Sequence, residues 1–162
     1  MAQGTSAPVD PELVAVRRAF GATYRRMVEC SNLEELPDEL SNMLHHLYRL
    51  GELRKRRWKV AIQGFTEKDF VARAGQVHGA LGAIWIRTFD THEIATVADI
   101  GDKYADVYTA IYGVLVWRQP AAMPFLILPN EIARFNDYQT HLADRVVLKT
   151  LRAAFDGLSA LP

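Results

Sequence analysis

Apolar residues recur at three- and four-residue intervals along most of this 162-residue chain, the period of helices that bury one face. Asp10 before Pro11 marks an N-cap and first turn and predicts a helix to about Cys30. A second, long helix is expected from Asp38 to about Ile62. Thr66 with Asp69 has the pattern of a capping box and opens a third, to about Phe89. Thr96 with Asp99 repeats that pattern for a fourth, to about Trp117. A fifth is expected from near Asn130 to about Phe155. No strand-length alternation flanked by hairpin turns interrupts the series. The predicted class is therefore all-α, a single-domain bundle of about five helices over residues 11–162 behind a flexible tail at 1–10.

Helical placement also tests the most conspicuous charge feature, Leu53 to Lys59, "LRKRRWK", in which five of seven residues are basic. Leu40, Met43, Leu44, Leu47, Leu50, Gly51, Trp58, Ala61 and Ile62 form one apolar stripe along the second helix. Arg54 falls inside it. Arg49, Arg56 and Lys59 point outward, while Lys55 and Arg57 flank the stripe on opposite sides. The run thus wraps the helix and presents no single basic face, which argues against nucleic acid as a partner. Residues 40–64 carry six basic residues against one acidic, and residues 65–106 carry four against seven, so the basic helix is expected to meet acidic partners within the chain or across a dimer. A guanidinium inside an apolar stripe requires a carboxylate or a bound anion, or the helix must end early, which makes Arg54 a ligand-binding candidate.

The third segment carries a large apolar face (Phe70, Ala74, Val77, Leu81, Ile84, Trp85) and a small-residue face (Ala72, Gly75, Gly79, Gly82, Ala83). Its glycines predict close approach of another backbone or of a flat ligand. His78 lies between the two faces, as a hydrogen-bonded core residue or as a second ligand-binding candidate. "FVARAGQVHGAL" resembles the turn of helix-turn-helix repressors. The helix that would read bases, however, presents His78, Ala80, Leu81 and Trp85, with no basic or amide side chain before Arg87, and that reading is rejected. In the fourth segment, Asp99, Asp102 and Asp106 share one face, a spacing that suits a hydrated Mg²⁺ or simply a solvated acidic surface.

Composition narrows the function further. Nineteen basic residues balance nineteen acidic ones, so no whole-molecule field draws the chain to a polyanion. Cys30, the single cysteine, excludes an internal disulfide and fits a reducing, cytoplasmic setting. The longest charge-free stretches fall short of the roughly 20 apolar residues a bilayer span requires, so no membrane association is expected. Phosphate-loop, dinucleotide-binding and serine-nucleophile motifs are absent, and no cofactor is expected. An arginine followed after four to six residues by a histidine is similar to the catalytic pattern of the higher-eukaryote-prokaryote nucleotide-binding ribonucleases. Arg87–His92 and Arg134–His141 both match, about as often as chance allows. Arg134 and His141 share a helical face with Arg145 and Arg152, and form the catalytic candidate of an RNA- or nucleotide-processing alternative.

The stretch "QPAAMPFLILPNE" holds three prolines and the apolar residues Met123, Phe125, Leu126, Ile127 and Leu128. Such a connector is expected to cross the bundle or to form a subunit contact. The function expected from sequence is a non-enzymatic regulatory or protein-interaction module, homodimeric through this connector. A small-ligand-binding bundle using Arg54 and His78 is the other alternative.

Overall fold

The computed structural model describes residues 10–30, 35–87, 89, 94–98, 114–120 and 127–162. The described residues form six α-helices, α1 (Pro11–Glu29), α2 (Leu36–Ala61), α3 (Glu67–Ala74), α4 (Ala80–Ile86), α5 (Ile132–His141) and α6 (Val147–Ala160), with two short strands, β1 (Ala95–Ala98) and β2 (Val114–Trp117). The class is all-α, as the periodicity predicts. Asp10 caps α1 as expected, its carboxylate accepting from the amides of Glu12 (2.8 Å) and Leu13 (3.4 Å). Thr66 and Asp69 complete the capping box of α3.

Helix α2 is the centre of the packing. Leu40, Met43, Leu44, Leu47 and Leu50 are all but inaccessible to solvent, and α1, α4 and α6 close around them. Phe20 of α1 stacks on Phe155 of α6 with ring centroids 3.8 Å apart, joining the two helices that flank α2.

The end of α2 explains the basic run. Buried Arg54 donates from Nε to the Leu158 carbonyl (3.1 Å) and from Nη2 to that of Ser159, at the C-terminal turn of α6. Its predicted carboxylate is thus replaced by helix-end carbonyls, which carry the negative pole of the helix dipole. Arg17 of α1 reaches the same Ser159 carbonyl (3.1 Å), and the Trp58 indole donates to the Pro162 carbonyl (2.6 Å). Lys55 pairs with Glu67 at the start of α3 (2.5 Å), Arg56 with Glu12 (2.8 Å) and Arg57 with Asp10 (2.6 Å) at the start of α1. Successive cations therefore fasten the ends of three other helices. Of these partners only Glu67 comes from the acidic stretch 65–106.

Three of the expected long helices are divided. The third breaks at 75–79, where Gly79 adopts φ +81°, a left-handed conformation that costs glycine little. The break redirects α4 so that Gly82 meets α5. A Cβ there would lie 2.7 Å from the backbone N and Cα of Tyr138, so the small-residue face answers to a neighbouring backbone. The ends of the expected fourth helix are strands. Thr96 stands opposite Val116 in an antiparallel ladder, and the β-branched Thr96 and Val116 suit that pairing better than a helix. The region between, with Asp99, Asp102 and Asp106, lies outside the described residues. The fifth breaks at 142–146, where Asp144 has φ +60°, a conformation aspartate tolerates. The freed backbone joins the far edge of β2: the Trp117 amide donates to the Arg145 carbonyl and the Asp144 amide to the Trp117 carbonyl, both at 3.0 Å.

Because Arg54 satisfies buried carbonyls while Arg56 sits in a solvent-exposed pair, their removal should differ in cost. Arg54→Met is expected to destabilise the protein by about 2–3 kcal/mol, and Arg56→Gln by less than about 1 kcal/mol. Urea unfolding of the two variants measures both.

Candidate functional site

The two chain breaks that sequence periodicity overlooks lie side by side. His78 belongs to the turn between α3 and α4, and His141 ends α5. Their rings stack face to face with centroids 4.1 Å apart and planes within 6°. The stack borders a cleft of about 470 Å³ whose other wall is the α5–α6 connector and the first turns of α6, including Asp144, Arg145, Lys149 and Thr150. That volume lies in the range of small-molecule sites.

Each wall is fixed by its own backbone demands. Asp137 of α5 accepts from the amides of Gly79 (3.1 Å) and Gly82 (2.8 Å), which pins the His78 turn against α5. Tyr138, fully buried, donates from its hydroxyl to the Arg118 carbonyl (2.7 Å), and burial pushes that hydroxyl well above the ordinary tyrosine range. The Trp117 indole donates to Thr150 Oγ1 (2.7 Å), which in turn donates to the carbonyls of Val146 and Val147. The cleft is therefore lined by side chains whose carriers are held by β2, α4 and α5.

Its electrostatics are uneven. Arg145 spends one N–H on the Thr140 carbonyl (3.2 Å), and neither Arg145 nor Lys149 makes an ion pair among the described residues. Asp144 accepts from the Gln119 side chain. Burial holds His141 below the ordinary histidine value. Asp137, whose Oδ1 lies 3.9 Å from His141 Nε2, opposes that shift, and the His78 ring and Arg145 add to it. Two imidazolium rings at this separation would repel by about 4 kcal/mol at an effective dielectric of ~20, and by less where water screens them.

The remaining candidates are placed elsewhere. Arg54 faces the end of α6 and not the cleft. Arg134 turns to Glu67 (2.6 Å), so Arg134 and His141 point to different neighbours, about 10 Å apart along the α5 axis. Arg152 pairs with Asp156 (2.6 Å), and Arg87 lies over the Tyr48 ring at 3.5 Å. Helix α4, which would follow the helix-turn-helix-like turn, is buried along its whole length and presents no face to a groove. Met123, Phe125 and Leu126 lie outside the described residues; Ile127 packs half-buried on the core, and Leu128 is 49 % exposed. Among the described residues no three histidine, cysteine, aspartate or glutamate side chains are placed to hold a metal ion. No described helix is long and apolar enough to cross a membrane.

Sequence reasoning names His78 and His141 separately and assigns them different roles. It does not foresee that they meet, nor that Lys149 joins Arg145. The available signal was only that Arg145 and Lys149 lie four residues apart around the start of α6.

His46, between α1 and α2, is also held below the ordinary histidine value, by burial first and then by His45, Arg49 and Arg26. For His46 and His141 the unfolded state takes up protons more readily, so their contribution is full above the ordinary value of 6.5 and is lost as pH falls through their lower folded values. The urea midpoint is expected to drop as pH falls below about 6.5, and to drop less in a variant carrying His46→Gln and His141→Gln. Loss from the depressed carboxylates of Glu39 and Glu67 follows only below their ordinary value of 4.5.

Comparison with known proteins adds no relative from which a role is carried over: no family model, curated protein or solved structure matches this chain.

Proposed function

We propose that the protein is a helical binding module for a small anionic ligand, seated in the cleft between the His78–His141 stack and the start of α6. One observation carries the reading: two cations without carboxylate partners among the described residues, Arg145 and Lys149, face a cleft of small-molecule size beside a pair of imidazoles. Unpaired cations converging on a concave surface favour an anion. The basic run at 53–59 supports this by contrast, since four of its five cations are already bound within the chain. A binding role is preferred to catalysis because the two rings lie against one another, which leaves no room for a substrate group between them.

Inorganic phosphate is the first probe. At one hundred times its Kd it should add about 2.7 kcal/mol of stability, which is roughly 5–10 °C in Tm. Arg145→Glu is expected to abolish that increment and Arg56→Glu to retain it. An increment that survives in Arg145→Glu contradicts the proposed site.

A second reading, a protein-interaction module that dimerises, is favoured by one feature. Leu128 and Ile132, four residues apart at the entry to α5, are 49 % and 51 % exposed and stand at and just past the end of the apolar connector in sequence. Sedimentation of the wild type as a dimer and of Ile132→Glu as a monomer would support it; a wild-type monomer at all concentrations would remove it.

A further inference from the structure

The anion-binding reading of the cleft has a charge consequence that narrows the ligand class. Among the described residues, four charged groups lie beside the His78–His141 stack or line the same cleft. Asp137, behind the His141 ring, is engaged with the amides of Gly79 and Gly82. Asp144 and Arg145 come from the α5–α6 connector and Lys149 from α6. Among the described residues that line the cleft, and with neutral imidazoles, the two cations and Asp144 sum to +1; Asp137 lies outside that lining but keeps its own negative charge 3.9 Å from His141 Nε2. A monoanion such as a carboxylate or a phosphodiester balances that charge. A phosphomonoester, close to −2 near neutral pH, leaves one negative charge over.

The stack is the group able to supply the missing positive charge. One imidazolium against the face of a neutral ring is a favourable cation–π arrangement, whereas two imidazoliums at 4.1 Å oppose each other. The pair therefore suits a single proton. We propose that the cleft takes the dianionic phosphoryl group of a small phosphomonoester together with one proton, held by the His78–His141 pair. Arg145 offers a planar fork for two of the phosphoryl oxygens, and Lys149, in the first turn of α6, a point charge. No bond is made or broken; the proton comes from solvent and returns to it on release.

This inference rests on the binding reading above, and its test separates the two. The C–H signals of the five histidine rings are followed by NMR across a pH series, with sulfate as a probe that stays dianionic and dimethyl phosphate as a monoanionic diester. The expected result is saturable movement of the His78 and His141 signals by sulfate, a higher apparent titration midpoint for this pair alone, and an affinity that falls by about tenfold per pH unit between the midpoint of the free pair and the raised one. Dimethyl phosphate should show less than about a twofold change over the same range. In His78→Gln, a change in an exposed turn, the steep pH dependence should disappear. Sulfate binding with a flat pH profile, a steep profile retained in His78→Gln, or equal proton uptake with dimethyl phosphate would each overturn the proton-coupled dianion and leave the anion site standing. No response of either ring to any anion, phosphate included, overturns the anion site and this inference with it.

Discussion

A buried guanidinium directed at the end of a helix is the constraint on which the arrangement depends. Arg54 sits in the apolar stripe of α2, where an unpartnered charge would cost several kcal/mol, and it reaches the last carbonyls of α6. That contact places α6 against α2 in a fixed register. Arg17 and Trp58 close on the same end of the chain, and Phe20 stacks on Phe155 one turn before it. Lys55, Arg56 and Arg57 then tie the starts of α3 and α1 to the same stretch of α2. A charge run that suggests a polyanion surface along the sequence is, in space, the fastening of three other helix ends to α2.

Fixing the far end of α6 also decides where its near end lies. The connector at 142–146 meets the open edge of β2, and Gly82 lets α4 cross α5 at backbone contact. Those two demands bring the His78 turn and the end of α5 together. The candidate site is thus built from interruptions of helices and not from their faces. Asp137, Tyr138 and Trp117 each hold one of the interrupted segments by a half-buried hydrogen bond.

The helical class, the capped start of α1 and the α2 stripe were legible because each is a local pattern that burial rewards along a single element. Arg54 was legible as an anomaly, but its partner was not: helix-end carbonyls are supplied by every residue type and leave no signature in the side chains. The break at 75–79 was signalled by Gly75 and Gly79, yet "ARAGQVHGAL" reads equally as one helix until Gly82 is required to touch Tyr138. The strands were hidden because Thr96 and Asp99 imitate a capping box. The ladder partner of Thr96, Val116, lies twenty residues away, beyond any local window. His78 and His141 were each visible as chemistry-bearing residues, but their stacking depends on two chain breaks at once. Nothing in either neighbourhood specifies it.

Where an anion lands on the molecule tests this account most directly. Backbone amide shifts followed by NMR during titration with inorganic phosphate compare the two electropositive regions in one experiment. The account predicts perturbations clustered at 78, 141 and 145–150, with Arg54 to Arg57 unmoved because those four cations already have partners. Perturbations that begin at Arg54 to Arg57 and leave the cleft silent would contradict it.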